Sequence, residues 1–169
     1  MKLIRFKIIV SLLLLSLIFG CSYSFTGSSV PPHLKTIAIP IVRDKSGSGE
    51  PNLSNDFTQI LTHQFIEDNS LYVVNSTTAD AVLSVTITSM ADRAEVVSGE
   101  NEKATRRRIT LNAKAVYKDL VMKKTVFDKN FSNYGTFETD NYVENRQDAI
   151  DIAIDNLALD LLLAVVADW

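Results

Sequence analysis

The chain has a single cysteine, two histidines, six glycines and four prolines in 169 residues. One thiol closes no internal disulfide. With two histidines it also falls short of the four-ligand set of a structural Cys/His zinc site. So little Gly and Pro, beside 46% hydrophobic and 22% charged residues, excludes collagen-like, low-complexity and disordered chains. A basic surplus is missing too: 17 Lys and Arg against 20 Asp and Glu leave a net charge of −3, whereas a dedicated nucleic-acid binder carries an excess of bases. Gly47-Ser48-Gly49 lacks the third glycine and the lysine of phosphate-cradling loops. Neither His33 nor His63 stands near a nucleophile motif such as GxSxG. The composition therefore points away from an enzyme: no catalytic residue, no metal ligand set, no dissociable cofactor and no nucleic-acid partner is expected.

Long apolar runs are equally scarce. Ile8–Phe19 is unbroken except for Ser11 and Ser16, and it follows Lys2, Arg5 and Lys7 with no acid among them. A basic start and a short apolar stretch fit a secretory signal, because a spanning helix needs about 20 apolar residues. The stretch ends in Ile18-Phe19-Gly20-Cys21, which resembles the bacterial lipobox. In that motif the cysteine thiol is diacylglycerated and cleavage makes it the new N-terminus. The expected organisation is a lipoprotein signal peptide over 1–20, a lipidated N-terminus and tether over 21–34, and one α/β domain over 35–169. Cleavage would leave 14 bases against 20 acids in 149 residues, a net charge near −6. Ser22 rather than Asp follows the cysteine, which by analogy with bacterial sorting favours the outer membrane. Acyl chains contribute about 0.8 kcal/mol per buried methylene, so two or three anchor a protein firmly.

Beyond the tether the hydrophobic period alternates between two and 3.6. Lys35–Val42 places Ile37, Ile39 and Ile41 on one face of a strand, with Pro40 suited to an edge or bulge. Leu53, Phe57, Ile60, Leu61 and Phe65 form one stripe of a helix over Leu53–Asp68, for which Asn52 or Ser54 can serve as cap. Leu71–Asn75 is a short strand, and Ala81–Met90, Arg106–Lys118 and Thr125–Phe137 are three longer ones covered on one face only. A last helix over Asn145–Asp168 has Ile150, Ala153, Ile154, Leu157, Leu161 and Val165 as its stripe. The order β-α-β-β-β-α predicts an α+β, two-layer fold with both helices on one face of a four- to five-stranded mixed sheet. Its first β-α-β is expected to be a parallel, right-handed crossover.

Charge is polarised along the chain. Glu102–Lys124 holds eight bases and two acids, and Glu138–Trp169 holds eight acids and one base. Arg106, Arg108, Lys114 and Lys118 share one face of a predicted strand, with Arg107 on the other. Guanidinium groups in such a row suit phosphates or carboxylates through paired hydrogen bonds; a solvated strand face explains them equally. Asp148, Asp151 and Asp155 lie on one helical face, where the positive end of the helix stabilises acids. The terminal helix is broadly apolar: Leu159, Leu163 and Val166 fall off its main stripe, so it is either deeply buried or meets a partner.

The run Cys21-Ser22-Tyr23-Ser24-Phe25-Thr26-Gly27, then Val30-Pro31-Pro32-His33-Leu34-Lys35-Thr36-Ile37-Ala38-Ile39-Pro40, resembles the lipopolysaccharide-assembly lipoprotein family, LptE, in the form found in Bacteroidota. The likeness continues through Asn52–Thr58 and Ala79–Leu83 to Ala167-Asp168-Trp169. It implies an outer-membrane lipoprotein that plugs a β-barrel partner, LptD, helps it assemble and aids delivery of lipopolysaccharide to the outer leaflet. The domain would lie on the periplasmic side or within the barrel lumen. Family members contact lipopolysaccharide through basic residues; by charge alone, the candidates here are Arg106, Arg107, Arg108, Lys123 and Lys124. The strand, Ser-Gly loop and helix over Ile37–Asp68 also resemble periplasm-facing binding modules of TolB or CsgG type, which activate or recruit an envelope enzyme or secretion pore. The lipobox carries the first prediction. Replacing Cys21 with Ala is expected to leave an unprocessed precursor and to move the mature domain out of the detergent phase; normal processing and partitioning of that variant would exclude the anchor.

Overall fold

The structure, a computed structural model, describes residues 30–95 and 106–167. The predicted signal peptide, Cys21 and most of the tether lie outside the described residues, as do Lys103 and Trp169. The elements are β1 (Thr36–Ala38), β2 (Arg43–Asp44), α1 (Leu53–Asp68), β3 (Tyr72–Val73), β4 (Ala81–Ala94), β5 (Arg106–Asp119), β6 (Lys124–Glu138) and α2 (Tyr142–Val166). The fold is α+β, as the periodicity predicts. Among the described residues it has two helices and an open mixed sheet of six strands, in the order β3-β1-β4-β5-β6 with β2 also on β4.

The sixth strand comes from Pro40. Ala38 pairs with Val82 and Arg43 with Thr86, so five steps on one side face four on the other. Proline cannot donate to a ladder, so the strand expected over Lys35–Val42 stops at Ala38 as β1, and pairing resumes as β2 just past its expected end. Both run parallel to β4, and β3 runs parallel to β1, which makes β1-α1-β3 the expected parallel crossover. The cap of α1 differs from expectation. Asn52 adopts φ 63° and gives no side-chain cap; short Asn side chains tolerate this left-handed region. The Ser54 hydroxyl donates instead to the Val42 carbonyl. Thr58 Oγ1 accepts the Val42 N–H at 2.9 Å and donates to the Ser54 carbonyl at 2.6 Å. These bonds fix the helix start to the end of the β1–β2 line.

β4, β5 and β6 form an antiparallel meander with long ladders. Leu83, Val85 and Ile87 on β4 and Ile109, Leu111, Ala113, Ala115 and Tyr117 on β5 face the helices and are buried. From α1 the core takes Leu53, Phe57, Leu61 and Phe65, and from α2 the whole predicted stripe, including Leu157. Of the suspected off-stripe residues, Val166 is buried whereas Leu159 and Leu163 are exposed. One departure from simple alternation has consequences. Ile87 pairs with Ala113 but Ser89 with Asn112, leaving Thr88 as an extra residue. This bulge exchanges the faces of β4, so that Met90 and Asp92 stand opposite the inward Leu111 and Ile109.

Gly135 on β6 marks the closest approach of α2. A Cβ built there would lie 2.0 Å from the Ala149 carbonyl oxygen and 2.8 Å from its carbon. Neither is a side chain able to turn aside, so a larger residue has to push the helix off the sheet. Gly135→Ala is expected to destabilise the domain by about 1–3 kcal/mol or more, read as a lower denaturant midpoint. An unchanged midpoint would show that α2 is not seated there.

Candidate functional site

The five basic candidates do not form one site. Arg106, Arg107 and Arg108 begin β5, whereas Lys123 and Lys124 lie beyond its end. A 14-residue strand separates the groups by on the order of 40 Å. Their electrostatic settings differ as much as their positions.

At the arginine end each of Arg106, Arg107 and Arg108 meets an acid. Arg106 Nε is 3.0 Å from Glu138 Oε1, and Arg107 Nε is 2.8 Å from Asp92 Oδ1. Arg108 pairs with Glu95 and stacks over the Tyr134 ring, 4.1 Å from its centroid. Asp92 reaches Arg107 because the Thr88 bulge turned it to the helix side. Its other oxygen accepts from the Tyr142 hydroxyl at 3.1 Å and lies 3.6 Å from Arg146 Nε. Arg146 also donates to Glu50 at 2.8 Å. Burial opposes the charge on Arg146, but Glu50 and then Asp92 hold its pKa above the ordinary value. In this network the acidic C-terminal segment, through Glu138, and the acids of β4 neutralise the start of β5. Midway along β5, Lys114 pairs with Asp128 at 3.0 Å.

The opposite end is built around Asp119, which is only 3% exposed. His33 Nε2 lies 2.7 Å from Asp119 Oδ2, and the Met122 N–H donates to Oδ1 at 2.8 Å. Burial alone would raise this carboxyl. Hydrogen bonds from His33 and from the Met122 and Val121 N–H groups, with the nearby His33 charge, hold it below the ordinary value instead. Asp80 plays a similar part beside it. Its carboxylate accepts from the Lys35 and Thr36 N–H groups, each at 3.0 Å, and from the Thr36 hydroxyl at 2.9 Å. These bonds, led by the Lys35 N–H and the Thr36 hydroxyl, lower its pKa. The Asp80 carbonyl also accepts the Leu120 N–H at 2.8 Å. Two carboxylates thus fasten residues 33–36, where the chain enters the fold, to the turn between β5 and β6. Sequence reading assigned no partner to His33; 86 positions separate it from Asp119, and no local pattern joins them.

Between Lys118 and Lys123 that turn exposes Leu120, Val121 and Met122 by 40, 54 and 64%. None of Lys118, Lys123 and Lys124 has an ion-pair partner among the described residues. A second apolar surface lies on α2, where Ile152, Leu159 and Leu163 repeat at helical spacing on the outer side and are 47, 46 and 49% exposed. His63 is exposed beside Glu67 at 3.4 Å. Asp148, Asp151 and Asp155 gather on α2. Burial chiefly raises the Asp151 carboxyl, and repulsion from Asp56, Asp148 and Asp155 adds to it. Among the described residues no group of three or more His, Cys, Asp or Glu could hold a metal ion. Nor is any described helix long and apolar enough to cross a membrane.

The lowered carboxylates set a pH dependence. A group whose folded pKa is depressed stabilises the fold above its unfolded value, about 3.8 here, and loses that contribution as pH falls through the folded value. The urea midpoint is therefore expected to fall below about pH 4 as Asp80 and Asp119 take up protons. Asp80→Asn should reduce the difference between midpoints at about pH 7 and about pH 3; an unaltered difference would remove Asp80 from this role.

Solved structures share the fold at low identity. A hypothetical protein of Chlamydia trachomatis aligns with a TM-score of 0.60 and 9% identity over 78% of this chain and 95% of its own. Lipoprotein B of Nitrosomonas europaea gives 0.55 and 12% over 88% and 92%. A minor lipoprotein of Acinetobacter baumannii gives 0.52 and 13% over 80% and 94%. No curated protein matches the sequence. The profile of the lipopolysaccharide-assembly family, LptE, matches residues 34–165, and the chain belongs to that family.

Proposed function

We propose that the protein is anchored in the outer membrane through an acylated Cys21 and acts without catalysis in lipopolysaccharide assembly, seated as a plug in the β-barrel LptD. Family membership supports the assembly role. The observation that carries the plug is the outer stripe of α2, Ile152, Leu159 and Leu163, which this fold leaves half exposed. A helix already buried on one side gains nothing within its own domain from apolar residues on the other. Against a second protein each can bury area worth about 25 cal/mol per Å².

Lipopolysaccharide contact is proposed at Arg106, Arg107 and Arg108. A lipid A phosphate arriving there has to exchange for Glu138, Asp92 or Glu95, so binding is a competition between anions rather than capture by free guanidinium groups. Lys123 and Lys124 belong to the other end of the sheet.

Co-purification tests the plug. The tagged, acylated chain is expected to bring down LptD, identified by mass spectrometry. The variant Ile152→Ser/Leu159→Ser/Leu163→Ser should lose it while keeping the wild-type circular dichroism spectrum. Recovery of an inner-membrane enzyme in place of a barrel would turn the reading towards an activator of TolB or CsgG type. Barrel recovery unaffected by the triple change would take the interface off α2.

A further inference from the structure

The turn Leu120-Val121-Met122 is apolar where a solvated turn is normally polar, and its conformation is imposed rather than incidental. Asp119 holds the Met122 N–H beneath it, Asp80 holds the Leu120 N–H, and Lys123 closes the turn at φ 53°. With their amides tied inward, the three side chains project outward. Lys118, Lys123 and Lys124 flank the turn in sequence and, with Asp119, Leu120 and Thr125, line a depression of about 250 Å³. An apolar tip flanked by long cations suits the boundary of an anionic bilayer. The tip enters the acyl region, and lysine stems lie along it with their ammonium groups at the phosphates.

The position of the chain's entry brings this end within reach of the anchor. His33 bonds to Asp119, the residue immediately before the tip, so the polypeptide arrives from its N-terminal side at this end of the sheet. Cys21 precedes His33 by 12 residues, a link that spans at most about 40 Å. An acylated Cys21 therefore keeps this end within reach of the membrane surface.

We infer that the β5–β6 turn docks on the phospholipid leaflet that holds the lipid anchor, with Leu120, Val121 and Met122 inserted among the acyl chains and Lys118, Lys123 and Lys124 on phosphate headgroups. The inference rests on the anchoring of Cys21 proposed above. It adds a second attachment, which gives the domain a defined orientation on the membrane. Each lysine near an anionic surface strengthens docking about fivefold, and the two at Lys123 and Lys124 together about 30-fold.

The test uses the full acylated chain. Thioether-linked Cys21 has no free thiol, so Met122→Cys provides a unique position for an environment-sensitive fluorophore, and Ser48→Cys in the loop before α1 provides the control. In vesicles of phosphatidylethanolamine and phosphatidylglycerol, the probe at position 122 is expected to shift to the blue and to be quenched by brominated acyl chains. The probe at position 48 should remain in water. Adding Lys123→Gln and Lys124→Gln should reduce the docked-to-free ratio about 30-fold in these vesicles and leave it unchanged in phosphatidylcholine. An acylated protein whose position-122 probe stays aqueous overturns the docking. So does shielding without quenching by brominated chains, or shielding that appears only when lipopolysaccharide is added. A free Cys21 thiol, seen as labelling of the wild-type chain, overturns the anchor itself and is read separately from the docking.

Discussion

The long helix can lie on the sheet because β6 offers no side chain at Gly135, where the Ala149 carbonyl comes too close for a Cβ. The rest of the architecture follows from that seat. With α2 held against β6 and β5, the apolar side of the meander is covered over part of its width. The other part falls to α1, whose Phe57, Leu61 and Phe65 complete the core. Both helices are thereby committed to one side. The other side of the sheet is left to Thr, Ser, Asn and paired charges, as expected of antiparallel strands with one wet face. It also leaves α2 with an outer surface that no described element covers.

Much of this was legible because the two hydrophobic periods are clean. α1 has the predicted bounds, and the inward residues of β5 and the stripe of α2 are those the pattern selects. The differences have local physical causes. Pro40 ends the expected strand early, at Ala38, and β2 forms just past the expected end. Thr88 adds a residue to β4, so alternation read past Ile87 would assign the faces wrongly. Asn52 serves α1 through its left-handed backbone rather than its side chain.

The basic residues were legible as a charge excess but not as a site, because sequence order carries no information about cross-strand partners. Arg107 meets Asp92 only through the register of the β4–β5 ladder and the bulge within it. Arg106 meets Glu138 because β6 returns beside β5. The buried partnership of His33 and Asp119 was hidden for the same reason. The turn at 120–122 falls between two predicted strands, and only the structure shows its three apolar side chains exposed.

Taken together, these pairings redistribute the charge. The chain places a basic block before an acidic one, and a uniform mixture of the two would cancel them everywhere. The fold cancels them at the start and middle of β5 and not at its end. At the start of β5 the arginines are matched by acids of β4 and β6, partly out of water, where an unpaired charge would be costly. At the end of β5 both nearby acids are turned inward: Asp119 to His33 and the turn amides, Asp80 to the amides of residues 35–36. Neither remains available to a lysine. Lys118, Lys123 and Lys124 consequently have no ion-pair partner among the described residues, in a protein whose overall balance is acidic. The same carboxylates that shape the apolar turn therefore leave the lysines beside it without an acid partner among the described residues. Hydrogen-bond geometry and electrostatic character at this end thus have one cause, the burial of Asp119 beneath the turn.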